Sequence, residues 1–410
     1  MNEATLNYVR QHADDDVSLL ALRGSKDPQV DLPLALQQIQ GRQTARKKLP
    51  SWASQDGIQY PVHLSMEQCS SEHTARYKAA LCRRLLENRE LTNRKSEIAN
   101  RKSQIVNRKL LDLTGGFGVD FVFMSETFDE ATYVERDPHL FTVASANLAL
   151  LCPKAKALCA DGTEVLHETE HVTLIFLDPA RRDDHGARTY GIANCTPNVL
   201  ELRDELLSKA DYVLLKLSPM LDWRKAVNDL GSEYVSEVHI VSVDNECKEL
   251  LLLLSKDHLQ PLTLHCVNND QHFSPHAIPT IPVPPIAPIS SPTTLLEPNA
   301  SIMKAGCFAE LAHHFGVAPV APNSHLFLSA GPVPDFPGRS FRIVAIATMN
   351  KRDLKTVLQG LTHANITTRN FPLTAVELRR KLKLADGGDT YLFATTQADG
   401  THILLVCKKN

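Results

Sequence analysis

Asp112, Glu135, Asp161 and Asp178 each stand at or just past the end of a short apolar run, where an open α/β sheet gathers its ligand contacts. The first closes a strand that continues as Leu113-Thr114-Gly115-Gly116-Phe117-Gly118-Val119-Asp120. Its glycines let the backbone turn sharply and approach a ligand at the next helix's N-terminus. A glycine run alone is a weak signal, because any tight strand-to-helix turn can use one. In a dinucleotide-binding fingerprint read from Gly116, the third glycine would fall at Phe121, so a pyrophosphate-binding helix is not supported.

S-adenosylmethionine carries no pyrophosphate. It needs room for a sulfonium and an amino acid, an acid for its ribose hydroxyls and an acceptor for its adenine amine. The expected cofactor contacts are therefore Asp112, Thr114, Gly115, Gly116, Gly118 and Asp120 around the turn, with Glu135 and Arg136 beside the ribose. Asp161 is expected at the adenine amine, with Gly162 leaving space for the ring, and Asp178 where the reacting methyl would point. The bland alternatives are a strand-end acid in solvent and an ordinary Asp-Gly turn.

Methyl transfer from a sulfonium is an in-line displacement that mainly requires alignment and calls for no metal. The segment Asp178-Pro179-Ala180-Arg181-Arg182 is the expected catalytic loop. Arg181 and Arg182 there could hold a phosphate or a base edge, or pair with Asp183 or Asp184. Lys216, at the end of the fifth strand, is a weaker substrate contact. Ser71 and Thr74 belong to a turn that either closes over the cofactor or only caps a helix. No cysteine lies in the loop to support covalent carbon methylation, and Cys195 nearby reads as a buried thiol.

Positioning these residues takes several elements. Residues 1–92 read as a helical domain, with Asp31 capping one helix and Ser65-Met66-Glu67-Gln68 in capping-box form. Residues 93–109 hold a seven-residue repeat, Asn93-Arg94-Lys95-Ser96-Glu97-Ile98-Ala99, with too few apolar positions for a coiled coil; a solvated helical insertion is expected. Residues 110–258 alternate seven apolar strands with amphipathic stretches, an α/β doubly wound sheet. Its last two strands, Glu237–Val243 and Leu250–Leu254, suggest an antiparallel hairpin at the edge. Residues 259–298 are proline-dominated and read as an extended linker. Residues 299–410 form an α+β domain.

Across 410 residues the formal charge is −3, which gives no global pull toward nucleic acid. Between Ser340 and Lys383, however, nine Lys or Arg face two acids. With Arg42, Arg46, Lys47 and Lys48, this local excess fits a phosphate-backbone substrate, and RNA is the expected partner. Nine cysteines without a CxxC pair suggest neither disulfides nor a thiolate metal site. No apolar stretch approaches a membrane span and Met1–Arg10 lacks a signal-peptide core, so a cytoplasmic location is expected.

Asp112-Leu113-Thr114-Gly115-Gly116-Phe117-Gly118 resembles the D-x-x-x-G-x-G motif of class I methyltransferases acting on RNA, and Asp178-Pro179-Ala180-Arg181 resembles their D-P-P-x motif. The likeness extends through Glu67-Gln68-Cys69-Ser70-Ser71-Glu72-His73-Thr74-Ala75, Glu297-Pro298-Asn299 and Phe336-Pro337-Gly338-Arg339. Over nearly its whole length the chain is similar to a bacterial methyltransferase family with a C-terminal THUMP-like domain. The resemblance implies a Rossmann-like seven-stranded catalytic core, and an accessory domain that recognises RNA. In the D-P-P-Y form, the carboxylate and a neighbouring carbonyl accept from an exocyclic amine while the aromatic ring stacks on the base. Ala180 and Arg181 keep the acceptors but lack the ring, which an Arg plane or Tyr190 could replace. Methylation of an RNA base nitrogen is the leading expectation. A small-molecule or protein methyltransferase, and an RNA-binding protein without turnover, are the alternatives.

Overall fold

The computed structural model describes residues 1–100, 107–180, 191–256, 261–275, 289 and 293–410, with the backbone alone for 90–100. Arg181, Arg182, Asp183, Asp184 and Tyr190, the rest of the repeat at 101–106, and most of the proline-rich run lie outside the described residues. Two compact units emerge: Met1–Ser236 with Leu250–Gln260, and Glu237–Glu249 with Pro261–Asn410.

The first unit opens with helices α1 (Glu3–Gln11), α2 (Val17–Arg23), α3 (Leu32–Lys48), α4 (Pro50–Ala53), α5 (His63–Gln68) and α6 (Glu72–Asn100). Asp31 caps α3 by accepting from the Leu34 amide at 3.1 Å, and Val9, Leu20, Ala35 and Ile39 close a small core between the helices. Helix α5 begins before Ser65, so the expected capping box does not form; its N-terminal flank is Val62, with no side-chain cap. Helix α6 runs on to Asn100 and takes in the first copy of the repeat.

The helices seat on the sheet through specific contacts. Trp52 meets Phe117 edge-on at 5.1 Å, and the buried Asn147 exchanges two 2.8 Å hydrogen bonds with the Gln59 backbone. Trp52 thereby meets the glycine turn itself, and Gln59, in the stretch between α4 and α5, is tied to a helix residue beyond it.

The sheet strands are β1 (Lys109–Asp112), β2 (Glu130–Glu135), β3 (Lys156–Cys159), β4 (Val172–Leu177), β5 (Ala210–Leu217), β6 (Val235–Val243), β7 (Glu246–Leu254), β8 (Thr263–Asn268) and β9 (Gln271–Phe273). Helices α7 (Val119–Ser125), α8 (Pro138–Leu151), α9 (Gly162–Glu168), α10 (Val199–Lys209) and α11 (Trp223–Leu230) connect the early strands. The strand order is β3-β2-β1-β4-β5-β7-β6-β8-β9. Strands β1 to β5 pair in parallel, and β7 runs antiparallel to β5. Strand β4, Val172 to Leu177, is buried at every position after the first, as a strand covered on both faces must be.

Seven strands were expected and the sheet has nine, because β8 and β9 fall inside the segment read as a linker. The physical reason is local. Pro261 and Pro275 flank a run without proline, so every amide between them is free to join a ladder, and Asn269 at φ 50° makes the turn.

In the second unit the remaining strands form another sheet: β10 (Thr294–Pro298), β11 (Ala318–Pro319), β12 (Phe327–Ser329), β13 (Gly338–Thr348), β14 (Asn365–Arg369), β15 (Thr390–Thr396) and β16 (His402–Lys409). The order is β11-β12-β10-β13-β16-β15-β14. Strand β10 also lies within the expected linker, with its one proline at the final residue, opposite Gly338. Period-two alternation splits the core: Leu295, Phe341, Phe393 and Leu405 pack on one face, Ile366, Leu392, Leu404 and Val406 on the other. The Glu297 and Arg339 motif residues meet here. Glu297, 3 % exposed, accepts from Arg339 at 2.9 Å and from Arg369 at 3.0 Å. No described helix is long and apolar enough to cross a membrane.

Candidate active site

The carboxyl ends of β1, β2, β3 and β4 open on a cleft of about 490 Å³ in the first unit. Thr114, Gly115, Gly116, Gly118, Asp120, Glu135, Arg136, Asp161, Gly162, Asp178 and Lys216 all line it. Asp112 and Pro179 are buried and are not among the lining residues.

The turn after β1 is built on close backbone approach. Gly116 and Gly118 adopt φ of 56° and 86°, and a Cβ on Gly115 would fall 2.0 Å from the Tyr133 ring. The Tyr133 hydroxyl donates to the Gly116 carbonyl. Glu135 receives the Gly116 amide at 2.9 Å on one carboxylate oxygen and the Asp137 amide at 2.7 Å on the other. Its position beside the turn is thereby fixed. Asp161 caps α9 through the Thr163 amide at 2.8 Å. Gly162 departs from expectation: a Cβ there would meet the Leu113 carbonyl at 2.2 Å, so the missing side chain makes room for the chain's own backbone.

Under the cleft floor lies Asp112. One carboxylate oxygen accepts from the Thr114 amide at 2.9 Å, and the other is buried without a hydrogen-bond partner. Burial pushes this carboxyl well above the usual carboxylate range against the pull of that amide, and the neighbouring Asp120, Asp178 and Glu135 push it further. A cluster of acids this close favours a cationic ligand, which would relieve their mutual repulsion.

Asp178 is held by its backbone and its side chain. Its amide donates to the Thr114 hydroxyl at 2.6 Å, and its carboxylate meets the Lys216 ammonium at 2.5 Å. Lys216 also reaches Asp120 at 3.4 Å. Beyond Asp178, Ala180 forms a two-bond antiparallel bridge with Thr196 at 2.8 and 2.9 Å.

Sequence reasoning missed Lys78. On α6, and with no exposed surface, it places its ammonium 3.1 Å from Asp120, which Ser70 also contacts at 2.7 Å. Burial works to raise the Asp120 carboxyl; Lys78, with Lys216 and Ser70, overrides it and holds the group below its ordinary value. Asp120, expected to touch cofactor, is therefore committed first to this cluster. Ser71 and Thr74 are a second correction. Thr74 donates to Ser71 through both its amide and its hydroxyl at the start of α6, and neither residue lines the cleft. The wall is made instead by Ser65, Gln68, Cys69 and Ser70. The Cys69 thiol is pushed up to about 11 by burial and is not a thiolate nucleophile at neutral pH.

Removing one partner of a buried pair strands the other charge. Lys78→Met is expected to lower stability to urea by about 3–5 kcal/mol. Because the native Asp120 carboxyl is held low, its contribution is present above the unfolded value of about 4 and is lost as pH falls through the folded one. Equilibrium unfolding between neutral and acid pH should therefore show a weaker acid-linked loss in Lys78→Met than in the parent.

Comparison with known proteins adds to this geometry. Residues 338–409 match a family model described as THUMP domain-like, and 295–337 match one described as a ferredoxin-like domain. A crystal structure of a candidate methyltransferase from Porphyromonas gingivalis W83 is 30 % identical, with 99 % of this chain and 97 % of that one covered and a TM-score of 0.82. Weaker similarity extends to a SAM-dependent methyltransferase of Agrobacterium tumefaciens, 18 % identical over 38 % of this chain and 57 % of that one, TM-score 0.30. A candidate RNA methyltransferase of Pyrococcus horikoshii is 15 % identical over 52 % and 95 %, TM-score 0.35. No curated protein matches.

Proposed function

Because the chain belongs to the class I methyltransferase family that carries a C-terminal THUMP-like domain, we propose that it methylates a base nitrogen in RNA, with S-adenosylmethionine as donor. The observation that carries the donor is the acid-rich cleft, with the partnerless Asp112 oxygen beneath it and the Gly116–Gly118 cradle beside it. These features fit a ligand with a sulfonium and an ammonium. When bound, that ligand supplies a methyl group activated for in-line displacement.

The chain's own residues do the rest. Glu135 is held by two backbone amides at the end of β2, where its carboxylate can still accept from ribose hydroxyls. Asp161 offers an acceptor to the adenine amine, and Gly116 and Gly118 let backbone lie against the amino-acid moiety. Asp178, held by Lys216 and Thr114, accepts a hydrogen bond from the incoming amine and so aligns its lone pair. Lys216 acts through Asp178. Arg181 and Arg182, which follow Asp178 closely in the sequence, contact the substrate in this reading.

RNA as substrate rests on the basic excess between Ser340 and Lys383 and on the THUMP-like match to the same stretch. Incubation with tritiated S-adenosylmethionine and total RNA from a deletion strain should label one RNA species. Label confined to a metabolite or protein fraction would overturn the RNA assignment and leave the donor assignment standing.

A further inference from the structure

A second cluster of chemistry-bearing side chains lies in the second unit. Glu237 and His239 are two residues apart on β6 and so share a face, and His265 on β8 pairs directly with His239 in the parallel register. The opposite face of these strands is apolar core: Val238, Ile240, Leu264 and Cys266 are each at most 1 % exposed.

The side chains converge on one atom. Glu237 Oε2 lies 2.9 Å from His239 Nε2 and 3.6 Å from His265 Nε2, and the three ligand atoms all fall within 4.8 Å of one another. The two imidazoles stack nearly parallel, 4.4 Å between centroids and 7° between planes. His239 is 2 % exposed, while the Glu237 and His265 side chains keep 15 % and 14 %, so the cluster is largely dry but reachable. On its far side, His265 Nδ1 sits 2.8 Å from the Ser274 hydroxyl, which also lies 3.1 Å from His272 Nε2.

We propose that Glu237, His239 and His265 bind a divalent transition-metal ion of the zinc type, with Ser274 orienting His265. Two stacked imidazoles aimed at a single carboxylate oxygen are poorly served by protons, since charging both would set two cations face to face. One ion accepts all three donors. Four-coordinate zinc, with bonds of about 2.0–2.2 Å, places neighbouring ligand atoms about 3.3 Å apart, between the two separations found here. Two imidazole nitrogens and one carboxylate are a donor set suited to zinc, and three protein ligands leave a fourth position for water. The Ser274 contact to Nδ1 is the outer-shell partner that would leave Nε2 for the metal. The ion would clamp β8 to β6, the junction at which the sheet outgrows seven strands.

The test uses the full chain without a histidine tag, treated with chelator and titrated with zinc chloride by calorimetry. One equivalent should bind, with affinity reduced at least about 100-fold in His265→Gln and in Glu237→Gln and about 10- to 100-fold in Ser274→Ala. Cobalt(II) added to the chelator-treated chain without any substitution should develop the intense visible absorption of a four-coordinate ion, a readout that needs no variant. Absence of saturable binding, a cobalt spectrum identical to the aqueous ion, or unchanged affinity in folded His265→Gln and Glu237→Gln would each overturn the proposal.

Discussion

Glu135→Ala is expected to weaken S-adenosylmethionine binding by about 100-fold, or about 2.7 kcal/mol. Hydrogen bonds to a charged group contribute about 1.5–3 kcal/mol each, and the carboxylate is placed to accept from two ribose hydroxyls. The substitution also frees the Gly116 and Asp137 amides, which now bind its two oxygens at 2.9 and 2.7 Å. Glu135→Gln separates the two effects. The amide keeps one acceptor oxygen, so it can hold the turn at Gly116 while losing the second acceptor and the charge, and its loss should be intermediate. Calorimetry on both variants checks this, and an affinity in Glu135→Ala equal to the parent would remove Glu135 from the site.

Asp178→Asn should act on turnover. The replacement conserves volume and leaves the backbone amide on Thr114, but one acceptor becomes a donor facing the Lys216 ammonium, now at 2.5 Å from the carboxylate. An amine nucleophile would lose its acceptor, and kcat is expected to fall about 10²- to 10³-fold, the range for removing one preorganised polar contact at a reacting centre. Cofactor affinity should change far less, because the Glu135 and glycine-turn contacts are untouched. Single-turnover methylation of the labelled RNA species, alongside calorimetry with the donor, distinguishes this from a binding defect.

What could be read in the chain beforehand was set by range along it. The acids at Asp112, Glu135, Asp161 and Asp178 are strand ends, and a strand end followed by a turn is a local pattern that survives without tertiary knowledge. The glycines at 115, 116 and 118 are likewise local, though which neighbour demands each one is not. Gly162 faces Leu113 across 49 residues, and only folding reveals that backbone, not ligand, fills the space. Lys78 looked like an ordinary helix cation because its partner lies on α7, and the Glu237–His239–His265 cluster depends on a register between strands separated by twenty residues or more. Ser71 and Thr74 were ambiguous in the sequence, and helix capping decided it. The three strands hidden in the proline-rich stretch were lost to averaging over a window most of whose prolines crowd between Pro275 and Pro292.

The wall that α5 and the start of α6 contribute to the cleft bears on how this protein can be cut and exchanged. Ser65, Gln68, Cys69 and Ser70 face the ligand space, Lys78 pairs with Asp120 beneath it, and Asn147 is satisfied by the Gln59 backbone. A chain begun at Asn107 would keep every strand of the sheet, yet it would leave Asp120 with Lys216 as its one remaining cation among the described residues, strand an unsatisfied amide at Asn147 and lose one side of the cleft. The leading helices and the sheet thus form a single heritable module, and chimaeras between relatives should be joined after the sheet rather than before it.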